Sequence, residues 1–122
     1  MAQNNDLTGR IIGCCFKVHA KLGPGFTEKI YHKALQTALE DNGLKYQTEK
    51  SFSVSFGGKK AGNFLLDIVV EDKVIVELKA VMGFIPEVFK HQIISYLKAA
   101  DLKIGLLVNF GNKSCQIKRF SL

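Results

Sequence analysis

Apolar residues recur at helical spacing over two stretches near the start of the chain. From Asp6 to Leu22 they fall every three or four positions, which predicts a first helix. The sequence Gly23-Pro24-Gly25 ends this helix, because neither residue type sustains one. A second helix is predicted from Thr27 to Asn42, with Thr27 as a possible N-cap and an apolar face made of Ile30, Tyr31, Ala34, Leu35, Ala38 and Leu39.

The period of the pattern changes to two after Gly43. Residues Ser51–Phe56 alternate strictly between polar and apolar, which predicts a half-buried strand. Gly57-Gly58 then predicts a turn into a returning strand over Ala61–Glu71. The almost continuously apolar stretch Val74–Ala80 predicts a central strand that is covered on both faces.

Three further elements follow. Pro86 predicts the start of a third helix that extends to Ala100, since proline is tolerated in a first turn. Strands are predicted over Lys103–Phe110 and Ser114–Phe120. The order of helix, helix, three antiparallel strands, helix and two strands predicts the α/β class, as an α+β design on a mixed sheet. We expect residues 1–122 to form one domain, given this length.

Charged residues interrupt two of the apolar strands. Glu77 and Lys79 lie two positions apart, so they point to the same face of their strand. Asp67 lies in a similar apolar setting on the preceding strand. A three-residue turn would pair Val70 with Val74 and place Asp67 opposite Glu77, whereas a two-residue turn would shift this register by one.

Two facing carboxylates repel each other, and a divalent cation is the simplest compensation. Oxygen ligands without a thiolate or imidazole cluster suit Mg²⁺ or Mn²⁺. Lys79 on the same face would then orient or deprotonate an attacking water and stabilise developing phosphate charge. The spacing alone favours equally a solvent-facing ion pair of Asp67 with Lys79, with Glu77 as a bystander.

Composition adds two constraints. Seventeen Lys and Arg residues against eleven Asp and Glu give a net charge of +6, which favours polyanionic partners, nucleic acid first among them. Lysines scattered over an ordinary basic domain explain the same charge. No apolar run approaches the roughly 18 residues that a membrane span needs, and the N-terminus has no signal-peptide pattern. Three cysteines without a CxxC motif predict neither a disulfide framework nor a zinc site, so we expect a cytoplasmic protein.

The acidic residue on one strand, followed by Glu-x-Lys on the next, resembles the PD-(D/E)XK nuclease superfamily. The segment Gly25-Phe26-Thr27-Glu28-Lys29-Ile30-Tyr31 resembles the motif that names the GxxExxY proteins, a branch of that superfamily. The likeness covers nearly the whole chain. It implies a restriction-endonuclease-like αβββαβ core with an extra N-terminal helix. Leu66 stands where the superfamily's name has proline.

The resemblance also implies roles for individual residues. Asp67 and Glu77 would hold Mg²⁺ or Mn²⁺, together with the backbone carbonyl of Leu78. Lys79 would assist the attacking water. Glu28 would be a helix-borne acid that reaches the same site, although a glutamate at a helix N-terminus also simply favours the helix dipole.

Three more residues are candidates on the same grounds. Gln92 would contact the metal's water or the substrate phosphate, with Tyr96 beside it. His19 is a candidate to line the site. Core packing is the competing interpretation for Tyr96 and for His19.

The leading functional hypothesis is metal-dependent hydrolysis of phosphodiester bonds, with DNA expected over RNA as substrate. The alternative is a non-catalytic module with a nuclease-like fold that binds nucleic acid or protein. A homodimer or a protein complex is a possible assembly under either hypothesis, because the Ser51–Phe56 strand is a candidate sheet edge. A membrane is not an expected partner.

Overall fold

The structure is a computed structural model that describes residues 2–122, with side chains from Asp6 onward. Its helices and strands follow the predicted order. They are α1 (Ala2–Leu22), α2 (Glu28–Asp41), β1 (Tyr46–Phe56), β2 (Lys59–Val70), β3 (Val74–Lys79), α3 (Glu87–Ala100), β4 (Ile104–Asn109) and β5 (Gln116–Ser121).

The strands form one mixed sheet in the order β1-β2-β3-β4-β5. β1, β2 and β3 form an antiparallel meander, α3 connects β3 to the parallel β4, and β5 returns antiparallel. This arrangement confirms the α+β mixed sheet, with β3 at its centre and β1 at an edge. Val70 pairs with Val74 across a three-residue turn, which is the first of the two registers that the sequence allows for this hairpin.

Helices cover both faces of the sheet. α1 and α2 pack on one face, where Val74, Val76 and Leu78 of β3 are buried. α3 packs on the other face, against Ile75 and its neighbours. Among the described residues, no helix is long and apolar enough to cross a membrane.

The apolar stripes predicted for the first two helices are nearly correct. Leu7, Ile11, Cys14 and Val18 of α1 are buried, as the helical spacing predicts. On α2 the prediction was wrong for Ile30, which is 43% exposed because it lies beside the stripe that faces the sheet.

The β1–β2 hairpin is longer than predicted and extends past the rest of the sheet. β1 begins at Tyr46, and β2 pairs with β3 only from Ile68 to Val70. Residues 51–65 therefore form a two-stranded arm that does not pair with β3. Val54 and Phe56 are exposed on it, so the strict alternation of this strand does not reflect half-burial along its whole length.

Tyr31, the last residue of the GxxExxY-like segment, fixes the chain as it enters α2. Its ring is fully buried and stacks on Phe110 at a centroid distance of 4.6 Å. Its hydroxyl donates a hydrogen bond to the Gly23 carbonyl and accepts one from the Phe26 N–H at 3.2 Å. The tyrosine thus holds the loop that sets where Glu28 begins the helix.

The β3–α3 loop (residues 80–86) is held by the last residue of β4 and by the segment that follows it. The side chain of the fully buried Asn109 accepts a hydrogen bond from the Val81 N–H and donates one to the Val81 carbonyl, both at 2.9 Å. The backbone of Gly111 passes so close that a Cβ there would lie 2.3 Å from the Val81 oxygen. Only glycine allows this approach.

We therefore expect Gly111→Ala to lower the free energy of unfolding by about 1–3 kcal/mol, because the two backbones must separate. Gly9→Ala is the matched control, since a Cβ at this position in α1 meets nothing within 4 Å. Alanine in a helix should raise stability there by up to about 1 kcal/mol. Urea denaturation measures both changes, and equal effects of the two substitutions would contradict this account of the loop.

Candidate active site

The sheet forks where β2 and β3 separate. Their pairing ends at Ile68 and Val76, and the next residue on each strand is acidic. Beyond this point, side chains replace the backbone ladder. Asp67 Oδ2 accepts a hydrogen bond from the Leu78 N–H at 2.9 Å, and Glu77 Oε2 accepts one from the Asp67 N–H at 3.0 Å. The two carboxylates therefore lie next to each other, each held by an amide of the opposite strand.

A local change in β1 accompanies the fork. Glu49 has a φ of 51°, and the ladder pairs the residues on either side of it but not Glu49 with Asp67. Leu66 packs on the α3 face of the sheet, whereas Ile68 packs on the face of α1 and α2. The strict alternation of β2 is thus broken at Asp67. Irregular pairing of this kind commonly redirects a side chain beside a functional site.

Glu77 is a carboxylic acid in the core of the sheet. Only 5% of the residue is exposed, so it does not lie on a solvent-facing surface of the sheet. Burial raises the pKa of Glu77 from its ordinary 4.5 to about 8, and the negative charge of Asp67 adds to the rise. The Asp67 N–H and Lys79 oppose it. A buried acid of this kind stays protonated at neutral pH unless a positive charge compensates it.

Lys79 points from β3 towards α3. Its Nζ lies 3.9 Å from the centroid of the Phe89 ring, which is a cation–π contact. Among the described residues, the salt bridges within 4.0 Å do not include Lys79. The charge of the ammonium group nevertheless opposes the rise in the pKa values of Glu77 and Glu28, so it acts on the fork.

Glu28 and Tyr96 approach the fork from opposite faces of the sheet. Partial desolvation raises the pKa of Glu28 at the start of α2, and the charge of Asp67 raises it further. Burial raises the pKa of Tyr96 on α3, and so do the charges of Glu77 and Asp67, while a hydrogen bond with Gln92 lowers it. The structure therefore brings these predicted residues together around the fork.

Two residues near Asp67 were not predicted from the sequence as part of the site. His32 Nε2 lies 3.1 Å from the Asp67 carbonyl, and Gln36 holds the other ring nitrogen at 2.9 Å. Glu28, His32 and Gln36 lie four residues apart along α2, so their common face was readable once Glu28 was singled out. Glu49 joins them because its strand crosses to the fork. A cavity of about 240 Å³ opens there, lined by Glu28, Lys29, His32, Glu49, Asp67 and Leu78.

His19 lies with a different group of residues. Its Nε2 is 2.8 Å from the Asn112 carbonyl, and its ring stacks on Phe110 at 6.3 Å. It is buried in this position. The structure therefore has His19 as a packed histidine, which is the interpretation that competed with a role in the site.

Comparison with known proteins identifies the family. A sequence profile of the PD-(D/E)XK nuclease superfamily matches residues 5–120, almost the entire chain. The chain belongs to the PD-(D/E)XK nuclease superfamily. No curated protein matches it.

A solved structure is similar to this chain in its fold. The crystal structure of SSO0001 superposes with a TM-score of 0.62 at 21% sequence identity. The match covers 76% of this chain and 48% of SSO0001, so this chain spans about half the length of that protein. At this identity the likeness concerns the fold alone.

Nucleases of the PD-(D/E)XK superfamily typically use divalent metal ions. Within residues 6–122, no three or more His, Cys, Asp or Glu side chains are grouped so as to hold a metal ion. The donor chemistry at the fork nevertheless fits a hard cation, because the available groups are two carboxylates and the Leu78 carbonyl. The hydrogen bonds described above occupy only Oδ2 of Asp67 and Oε2 of Glu77.

The raised pKa of Glu77 makes metal-free stability depend on pH. Below pH 4.5 the acid is protonated in both the folded and unfolded states. As pH rises towards 8, the unfolded chain ionises first, so the folded state progressively loses stability. In EDTA at pH 8 to 9, Glu77→Gln should therefore be more stable than the wild type by roughly 1–4 kcal/mol, with the difference vanishing near pH 5.

Urea denaturation across this pH range measures the difference between Glu77→Gln and the wild type. Glu87→Gln is the matched control, because its side chain is 72% exposed at the start of α3. Parallel stability curves for wild type and Glu77→Gln from pH 5 to 9 would rule out a buried acid with a raised pKa.

Proposed function

We propose that this chain is a metal-dependent nuclease that hydrolyses phosphodiester bonds at the fork between β2 and β3, with DNA as substrate. The observation that carries the proposal is the pair of carboxylates, Asp67 and Glu77, one of them buried in the central strand. A buried acid beside a second acid destabilises the ionised protein, so it has a cost that packing alone does not explain. Because the chain belongs to a nuclease superfamily, we attribute this energetic cost to a role of the two acids in catalysis.

We infer that Asp67, Glu77 and the Leu78 carbonyl hold Mg²⁺ or Mn²⁺. The two backbone amides at the fork bind one oxygen of each carboxylate and so set the direction of the other oxygen. Glu28, which lines the same cavity as Asp67, is close enough to interact with Asp67 electrostatically and would bind directly or through water. When bound, the cation supplies Lewis-acid polarisation of the scissile phosphate.

Lys79 is the residue that we assign to the attacking water. The Phe89 ring holds its ammonium group beside the fork through a cation–π contact, and the group carries three N–H donors. From this position Lys79 would orient the water and stabilise negative charge on the phosphate. Gln92 and Tyr96, which share a hydrogen bond on α3, would contact the phosphate from the same side.

The finer placement of the chain follows from α2. We place it in the GxxExxY branch, because Tyr31 fixes the loop before Glu28 and the glycine of the motif, Gly25, has a φ of 114°. A side chain rarely adopts this backbone conformation, so the glycine is needed for the turn. The motif thereby positions an acid at the cavity of the fork.

A second candidate function is a module that binds nucleic acid without cutting it. The contact of Lys79 with Phe89 favours it, because the ammonium group lies over a ring and not against a carboxylate. The two candidate functions differ in whether the protein cleaves phosphodiester bonds with the help of Lys79.

The proposal is tested by a nuclease assay with Mg²⁺ or Mn²⁺ on duplex, single-stranded and branched DNA and on RNA. Wild type should cut DNA, and both Asp67→Asn and Lys79→Ala should reduce the rate by roughly 100-fold or more, because each removes a group that acts in the transition state. Lys17→Ala on α1 is the matched control for loss of one positive charge and should cut at the wild-type rate.

Cleavage that persists in both site variants, or in EDTA, would disprove the proposed site. Binding of nucleic acid that depends on the metal, with no cleavage of any substrate, would establish the second candidate function in its place.

A further inference from the structure

The β3–α3 loop presents two large apolar side chains to solvent immediately after Lys79. Met82 is 89% exposed and Phe84 is 96% exposed, the highest values among the large apolar residues that the structure describes. Single exposed apolar residues are ordinary on protein surfaces. Two that flank one glycine at the end of a site-bearing strand form a local apolar surface that calls for a partner.

The backbone of this loop is held rigidly in the shape that exposes them. Asn109 binds both the N–H and the carbonyl of Val81, and Asn112 does the same for Gly83 at 2.8 and 2.9 Å. Two amide side chains therefore act as substitutes for a pairing strand. Gly83, with a φ of 81°, turns the chain between the two apolar residues. A fixed display of this kind lowers the entropic cost of binding a ligand.

Positive charge lies beside the apolar surface. A cavity of about 200 Å³ is lined by Phe84 and Ile85 together with Lys90 and Lys118. Lys118 is exposed on β5, and Lys90 lies 3.4 Å from Glu87 within α3. An aromatic face next to ammonium groups matches an unpaired base and the phosphates of its strand.

We propose that Phe84, assisted by Met82, is a stacking platform for an unpaired base of a single-stranded nucleic acid. The loop joins the strand of Lys79 to the helix of Gln92, so a strand held on Phe84 lies next to the fork. Within a duplex, both faces of each internal base are already stacked, which leaves no face for Phe84. The platform therefore assigns a substrate class, DNA with a single-stranded segment, and in this respect it rests on the proposed nuclease function.

The platform is tested by fluorescence anisotropy in EDTA, with labelled oligothymidine and a long blunt-ended duplex without unpaired bases as probes. Phe84→Ser should weaken binding of oligothymidine by roughly 5- to 150-fold, the range expected for loss of one stacked base, and should change duplex binding less than about twofold. Phe16→Ser on α1, where the phenylalanine is 50% exposed, is the matched control and should bind like the wild type.

A second readout reports stacking itself. An oligonucleotide that contains 2-aminopurine should lose fluorescence on binding the wild type and retain it with Phe84→Ser. Because Phe84 is almost fully exposed, the variant should have the circular dichroism spectrum and thermal midpoint of the wild type, so a binding defect is not a folding defect.

Equal loss of single-strand and duplex binding, or unchanged oligothymidine binding by Phe84→Ser, would overturn the platform. So would a wild type that self-associates through Phe84, detected by sedimentation, while single-strand binding stays intact. Cleavage that requires Lys79 but shows no Phe84-dependent binding would overturn the platform alone. Phe84-dependent binding without any cleavage would support the platform and contradict the proposed nuclease function.

Discussion

The burial of one carboxylic acid in the central strand is the constraint around which this site is arranged. Glu77 lies between layers of helix on a strand that is apolar apart from Lys79, and its neighbour Asp67 is also acidic. The acid at this depth needs either a proton or a compensating cation. Its contact with the Asp67 N–H and the charge of Lys79 provide part of that compensation. We interpret the compensation that is still missing as the contribution of a divalent metal bound at the fork.

The sheet makes this arrangement possible because its two sides differ. β3 pairs with the parallel β4 along its whole length, from Val74 to Lys79, and this pairing fixes the direction of Glu77 and Lys79. Its pairing with β2 ends at Val76, so the β1–β2 hairpin departs and opens the fork. Aromatic stacking of Phe64 on Tyr96, at 4.5 Å, then ties the departing arm to α3. The fork is therefore open where Asp67 and Glu77 lie, whereas the departing arm beside it is packed against α3.

Much of this fold follows from the sequence because the patterns are strong there. The almost continuously apolar run of β3 predicts a central strand. A three-residue turn after Val70, one of the two lengths that the sequence allows, gives the register that places Asp67 beside Glu77. The start of β1 at Tyr46 was not predictable, because its first residues are mainly polar and their pairing with β2 depends on tertiary context. The left-handed conformation of Glu49 has no signature in a non-glycine residue.

The contacts between side chains that are distant in the sequence were the other feature that could not be predicted. The spacing of Glu77 and Lys79 predicts a shared face, but the ring that receives the ammonium group lies ten residues further along, on a helix that crosses the sheet. The contact of His32 with Asp67 joins residues 35 positions apart, and no local pattern encodes it. The solved structure of similar fold, at 21% identity, assigns no role to these residues, so their roles rest on the geometry of this chain.

The central claim is that the fork binds a divalent cation, and direct measurement of Mn²⁺ binding by electron paramagnetic resonance tests it without requiring activity. The wild type should bind Mn²⁺ at a site that Mg²⁺ displaces, and both Asp67→Asn and Glu77→Gln should lose it. Glu71→Gln, in the turn after β2, should bind like the wild type. Unchanged Mn²⁺ binding in both site variants, or its absence from the wild type, would contradict the account.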